Sequence, residues 1–149
     1  MKSLIIYQSV HHQNTQKIAE VMAKTLEARI NKPSEIRTEE LSNYDLIGFG
    51  SGIYFWQHHR NLISFIKKLP KFENKKAFIF STSGLRLGKK ILHLPLKELL
   101  SKKGFMVVGQ FNCPGFDTFG PFKLFGGFNR NRPNEKDLEK AKQFAKKLI

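Results

Sequence analysis

Apolar positions along the chain fall into short continuous runs separated by segments of helical period, and that alternation sets the order of elements. Leu4-Ile5-Ile6-Tyr7 is a compact run of strand type that gives way to the polar segment Gln8 to Asn14. Behind it Ile18, Val21, Met22, Leu26 and Ile30 recur at three- and four-residue spacing, which makes one apolar helix face. Glu35-Ile36-Arg37 reads as a short second strand. Leu46-Ile47-Gly48-Phe49-Gly50 reads as a buried third strand running into Ser51-Gly52-Ile53-Tyr54-Phe55-Trp56, with a helix over residues 59–69 after it. Pro70 and Asn74-Lys75-Lys76 separate that helix from a fourth strand, Ala77-Phe78-Ile79-Phe80-Ser81, which ends at Thr82-Ser83-Gly84. The following helix ends near Lys103-Gly104, with glycine just past its last turn. It starts either at Lys89, with Pro95 inside it, or near Pro95, with the proline in its first turn. Phe105 to Phe111 forms a fifth strand, a Phe- and Gly-rich stretch covers residues 112–133, and Asn134 caps a last helix with Leu138, Ala141, Ala145 and Leu148 on one face.

Strands that alternate with helices and read as continuous apolar runs imply a parallel sheet covered on both sides. Five of them suit an α/β fold with the doubly wound order 2-1-3-4-5, built as a single domain over residues 1–149. In such sheets ligands bind beyond the carboxyl ends of the strands at the topological switch point. The loops that matter are then 8–15, 51–59, 82–88 and 112–133.

Composition narrows this reading in three ways. A hydrophobic content of 40% over 149 residues suits one core, with no linker-like tract between elements. The lone Cys113 excludes an internal disulfide and any zinc site built on several thiolates. The apolar run at the N-terminus is too short for a signal-peptide core or a membrane span, which points to the cytoplasm. The formal charge of +14 is uneven: residues 1–59 carry 6 basic and 6 acidic side chains, residues 60–104 carry 12 and 2, and residues 105–149 carry 8 and 4. A basic middle third suits an acidic partner, a nucleic acid or an anionic membrane, or is simply a solvated face; charge alone does not choose.

The loop Ser9-Val10-His11-His12-Gln13-Asn14-Thr15 opens directly into a helix, so backbone N–H groups and the helix dipole converge where a phosphate could sit. It has no Gly-x-x-x-x-Gly-Lys-Ser/Thr pattern and no lysine, which argues against a nucleotide triphosphatase, and no Gly-x-Gly-x-x-Gly fingerprint for a dinucleotide. On the residues alone, an ordinary capped helix start fits equally well. The pairs His11-His12 and His58-His59 would approach each other if both loops flank one ligand, and four imidazoles could hold a metal. No carboxylate nearby would orient them, so donation to a phosphate or to backbone carbonyls is the simpler reading. Cys113 is either a small packing residue or a contact at a ligand's edge. Phe111, Phe116, Phe119, Phe122, Phe125 and Phe128 either seal the sheet end as a small core or form a lid or docking patch.

Ser9 followed by Asn14-Thr15 and a helix resembles the phosphate loop of flavodoxins, in a variant with a His-His pair before Asn-Thr. Gly48-Phe49-Gly50-Ser51-Gly52-Ile53-Tyr54 is similar to the second flavin loop of that family, and Cys113 to Phe122 with Pro133 to Leu138 is similar to the C-terminal region of its short members. The resemblance covers essentially the whole chain. It implies an FMN-binding electron-transfer protein, with the phosphate on Ser9, His11, His12, Gln13, Asn14 and Thr15. It also implies a ring held between loop 52–57 (Gly52, Ile53, Tyr54, Phe55, Trp56) and loop 82–86 (Thr82, Ser83, Gly84), with Cys113 at its edge and Tyr54 or Trp56 stacked on it. Stacking of that kind stabilises a flat ring by roughly 1–3 kcal/mol. Gln13 stands where the family usually has Gly, and if that position needs positive φ, strain of roughly 1–2 kcal/mol follows.

Flavodoxins of the familiar acidic kind surround FMN with carboxylates. Here Asp117 is the only acidic residue in the four loops, whereas Arg86, Lys123, Arg130 and Arg132 are basic and His58 and His59 can become so. An acidic redox partner docking near Arg86, Lys89 and Lys90 follows from that bias. Two rivals stay open. One is a flavin-dependent oxidoreductase on the same fold, a quinone or flavin reductase or a protein resembling the flavodoxin-type protoporphyrinogen oxidases, with loop 112–133 closing over substrate. The other is a module whose basic face binds nucleic acid or membrane, against which stands the lack of any aromatic-plus-basic strand of the single-strand-binding type.

Overall fold

The computed structural model describes residues 1–9, 13–54, 56–83, 88–114 and 132–149. Within them the chain runs β1 (Ser3–Gln8), α1 (Asn14–Leu26), β2 (Arg29–Asn31), β3 (Leu46–Tyr54), β4 (Gln57–His58), α2 (Arg60–Lys67), β5 (Lys75–Ser83), α3 (Lys89–Lys102), β6 (Phe105–Pro114) and α4 (Glu135–Lys146). Two short 3-10 turns, Pro33–Glu35 and Thr38–Asn43, join β2 to β3. The parallel sheet has the order β2-β1-β3-β5-β6, and the two-residue β4 folds back antiparallel on the end of β3. Setting β4 aside, the five parallel strands follow the doubly wound order 2-1-3-4-5 that the sequence implies.

The second strand is a correction. It lies at Arg29–Asn31, not at Glu35-Ile36-Arg37, because Glu27 takes the left-handed conformation (φ 53) and ends α1 at Leu26. Ile30, read above as part of the helix face, pairs instead with Ile5 of β1. Pro33 then opens a 3-10 turn, and Ile36 leaves the backbone ladder to bury its side chain under the sheet. Pro95 sits inside α3, so of the two starts considered the one at Lys89 holds.

Two cores sandwich the sheet. On one face α1 and α4 cover Ile5, Tyr7, Phe78, Phe80, Phe111 and Cys113. On the other, α2, α3 and the 3-10 turns cover Leu4, Ile6, Ile47, Phe49, Ile79 and Phe105. Gly48 and Gly50 of β3 lie beside Phe78 and Phe80 of β5, and a Cβ at either glycine would come within 2.2 Å of the neighbouring ring. These glycines make room for two aromatic rings over the central strand. Asn134 caps α4 as expected: its side chain accepts from the Asp137 N–H at 3.0 Å, and Asp137 accepts from the Asn134 N–H at 2.8 Å.

One irregularity re-aims the end of the sheet. Ala77 pairs Val107 but Phe78 pairs Gly109, so Val108 is an extra residue in β6. Before it, Phe105 and Val107 face α2 and α3; beyond it Gln110 and Asn112 take that face, while Phe111 and Cys113 turn toward α1 and α4.

Candidate functional site

Three segments converge at the carboxyl ends of β1, β3 and β5. Gln13 enters α1 in the left-handed conformation (φ 55, ψ 32), the strained geometry anticipated for a residue standing in a glycine position. α1 starts with no side-chain cap from Gln13 and no acidic residue in its first turn, which leaves its positive dipole end directed at the loop. The Gln16 N–H donates to Ser9 Oγ at 3.3 Å, tying the residue after β1 to the first turn of α1. Asn14 and Thr15 are buried there, and Thr15 Oγ1 lies 3.0 Å from Thr82 Oγ1, so the first turn of α1 is tied to the end of β5. Ser83 follows, buried.

The hairpin after β3 forms the second wall. Ile53 pairs His58 and Tyr54 pairs Gln57, so the turn is tight, and Trp56 at its tip takes φ 71. Ser51 Oγ accepts the His59 N–H at 2.8 Å and donates to the Gly52 carbonyl at 2.6 Å, pinning the hairpin to the strand. Tyr54 folds back over Gly52, where a Cβ would stand 3.0 Å from its hydroxyl, and its ring meets His59 edge-on at 5.3 Å. Trp56 is 60% exposed, an indole not spent on the core and free to stack on a planar ligand. His11, His12, Phe55, Gly84, Arg86 and the Phe-rich loop from residue 115 to 131 lie outside the described residues.

Cys113 stands across from Thr82 and is 3% exposed within the core under α1 and α4. Burial first, and then the charge of Asp137, push its thiol up to about 12. The structure therefore gives it packing surroundings and no open edge.

The histidines separate. His58 is buried, and its Nε2–H donates to the Phe80 carbonyl at 3.1 Å, which leaves Nδ1 a buried acceptor without a hydrogen-bond partner. Burial, with His93 beside it at 5.1 Å between rings, pushes His58 down to about 3. It stays neutral, so it drops out of the charges that the sequence assigns to the ring's surroundings. Arg132 drops out as well, because Asp137 takes it in a two-pronged ion pair, with Nη2 to Oδ1 at 2.6 Å. Among the described residues no group of three or more His, Cys, Asp or Glu side chains is arranged to hold a metal.

His93 escapes a sequence reading. From α3 its Nδ1–H donates to Gln110 Oε1 at 3.2 Å, and its Nε2 accepts the hydroxyl of Ser81 at 2.6 Å. Ser81 Oγ accepts in turn from the Asn112 amide at 2.7 Å. Burial lowers His93 to about 4 against the opposing pull of Gln110. This closed network locks α3 onto β5 and β6 just below the loop that follows Ser83. The signal in the sequence is polar residues two apart in apolar strands, Ser81 and Ser83, Gln110 and Asn112.

The donor set fits a phosphate monoester, since the hydroxyls of Ser9 and Thr15 and the amide of Asn14 stand at a helix start that takes no cap from Gln13, with no carboxylate in residues 8–15. Comparison with known proteins bears on the family and the fold. The family model described as Flavodoxin domain matches residues 4–112. Over 149 residues the chain is 51% identical to an uncharacterised protein of Methanocaldococcus jannaschii, covering 100% of this chain and 99% of that one. In fold it is similar to a flavodoxin of Streptococcus pneumoniae, with TM-score 0.73 at 13% identity over 99% of this chain and 97% of that one. It is also similar to oxidised flavodoxin 2 of Bacillus cereus, with TM-score 0.67 at 20% identity over 97% and 95%. A sheet in the order 2-1-3-4-5, together with the family match over most of its length, means that the chain belongs to the flavodoxin-domain family.

Proposed function

We propose that this flavodoxin-like protein binds FMN and carries electrons in the cytoplasm. The observation that supports this best is the 3.0 Å link between Thr15 and Thr82, which joins the loop at the start of α1 to the end of β5. Ser9, His11, His12, Gln13, Asn14 and Thr15 hold the phosphate in this reading. Tyr54 or Trp56 covers one face of the ring, and Thr82, Ser83 and Gly84 line the other. Bound FMN supplies one- and two-electron chemistry of its own. The chain contributes position, a dry site and neutral surroundings, since neither His58 nor Cys113 ionises near neutral pH. An acidic redox partner docks near Arg86, Lys89 and Lys90, of which the two lysines are exposed in the first turn of α3, where Ile91 and Leu94 add exposed apolar surface.

FMN should bind stoichiometrically and riboflavin, which lacks the phosphate, far more weakly. Fluorescence quenching of each flavin by the purified protein tests this. Equal affinities would remove the phosphate role from the Ser9 to Thr15 loop.

A further inference from the structure

A cleft of ≈ 660 Å³ opens between the β3–β4 hairpin and the outer face of α2. That volume is in the range of about 300–1,000 Å³ usual for small-molecule sites. Arg60, Ile63, Ser64 and Lys67 stand at helical spacing along one stripe of α2, and Tyr54, Gln57 and His59 face them from the hairpin. None of the lining residues belongs to β1, α1 or β5, the elements that carry the Ser9–Thr15 and Thr82–Ser83 segments.

The chemistry of the lining is one-sided. Among the described residues it holds two cations, two hydroxyls, an amide and two imidazoles, and no carboxylate. Among the described residues neither Arg60 nor Lys67 is in an ion pair; the two ion pairs found are Arg29 with Glu40 and Arg132 with Asp137. His59 adds a donor whose direction is fixed. Its Nδ1 accepts the Asn61 N–H at 2.9 Å as the cap of α2, so in the neutral ring the hydrogen sits on Nε2. Ile63 and the ring of Tyr54, both half-buried, supply an apolar strip between the charged ends. Two cations without an ion pair among the described residues, beside a strip of apolar surface, match an anion that has a hydrocarbon body.

We propose that this cleft is a second binding site that takes a small organic anion, a carboxylate or phosphate ester with an apolar body. Its charged end lies on Arg60 and Lys67, with Ser64 and the His59 Nε2–H as further donors, and its body lies on Tyr54 and Ile63. The proposal does not rest on the flavin assignment, in which Trp56 is the other stacking candidate, and Tyr54 is the one residue named for both.

The test is a nitrogen-15 NMR titration of the full chain with benzoate and with phenyl phosphate at constant ionic strength, run with and without saturating FMN. Saturable shifts at the amides of His59, Arg60 and Ser64, the same in both states, are expected. Arg60→Gln and Lys67→Gln should each weaken binding by about tenfold or more, as for loss of a charged hydrogen bond. Both side chains are exposed, so neither change removes core packing. Benzamide and inorganic phosphate, lacking the charge and the apolar body respectively, should bind more weakly than either probe. The proposal is overturned by the absence of saturable shifts, by affinities that the two substitutions leave unchanged, or by competition between benzoate and FMN, which would make the cleft part of the flavin site. A Glu-rich peptide that shifts these amides where neither small anion does would equally overturn it, in favour of protein docking.

Discussion

Gln13 occupies a backbone conformation in which a side chain costs roughly 1–2 kcal/mol. Gln13→Gly relieves that strain and adds unfolded-state freedom that offsets part of the gain, so stability should stay level or rise by less than about 1 kcal/mol. FMN affinity should not fall. Urea denaturation and flavin titration of the variant measure both, and a large loss of affinity would identify the Gln13 side chain as a ligand rather than a tolerated strain. The position was visible only through the resemblance to flavodoxins, in which glycine usually stands there. The role of His93 was not visible. A lone histidine in Leu92-His93-Leu94-Pro95 carries no local sign of its partners Ser81 and Gln110, which lie 12 and 17 positions away.

Strands and helices were legible wherever burial repeats with one period, and illegible where the period breaks. Phe105, Val107, Phe111 and Cys113 keep one parity in the sequence, which ordinary alternation would put on a single face. The extra residue Val108 sends the second pair to the opposite core and brings Gln110 and Asn112 under α3. Nothing in the chain's composition there marks the bulge. The displaced β2 has the same kind of cause, one left-handed residue, Glu27, that no glycine advertises. Gly48 and Gly50 head a stretch that resembles a flavin loop of the family, and within the buried strand they serve the packing of β3 against β5. Gly50→Ala should therefore destabilise the fold by about 1–3 kcal/mol through overpacking against Phe80. Phe80→Leu in the same chain should recover part of that loss, a coupling that a double-mutant cycle in urea would measure. Additive losses would show that the ring and the glycine are not in competition for space.

For the molecule as a whole, pH and salt act on different parts. His58 and His93 are neutral in the fold and titrate near 6.5 when it is lost. Their contribution is complete above about 6.5 and disappears as pH falls toward about 4 for His93 and about 3 for His58, because the unfolded chain binds protons that the fold refuses. Each should remove roughly 1.4 kcal/mol per unit of pH in that window. The urea midpoint should drop between about pH 7 and about pH 5, and a midpoint flat over that interval would show that the pair is not held neutral. Salt should act on association instead. Surface charges are screened beyond about 10 Å at 0.1 M, so electron transfer to an acidic partner through Lys89 and Lys90 should slow steeply as ionic strength rises. A rate indifferent to salt in stopped-flow measurements would move the docking surface elsewhere. The link between Thr15 and Thr82 also has a consequence in time. The two hydroxyls are 67 positions apart, and β3 lies between β5 and the strand β1 that leads into α1, so they meet only after β1, β3 and β5 have all been laid side by side. Long-range closures of that kind come late on a folding pathway. The pocket is thus among the last things the nascent chain completes, and a flavin that needs both loops is captured by finished molecules and passed over by half-built ones.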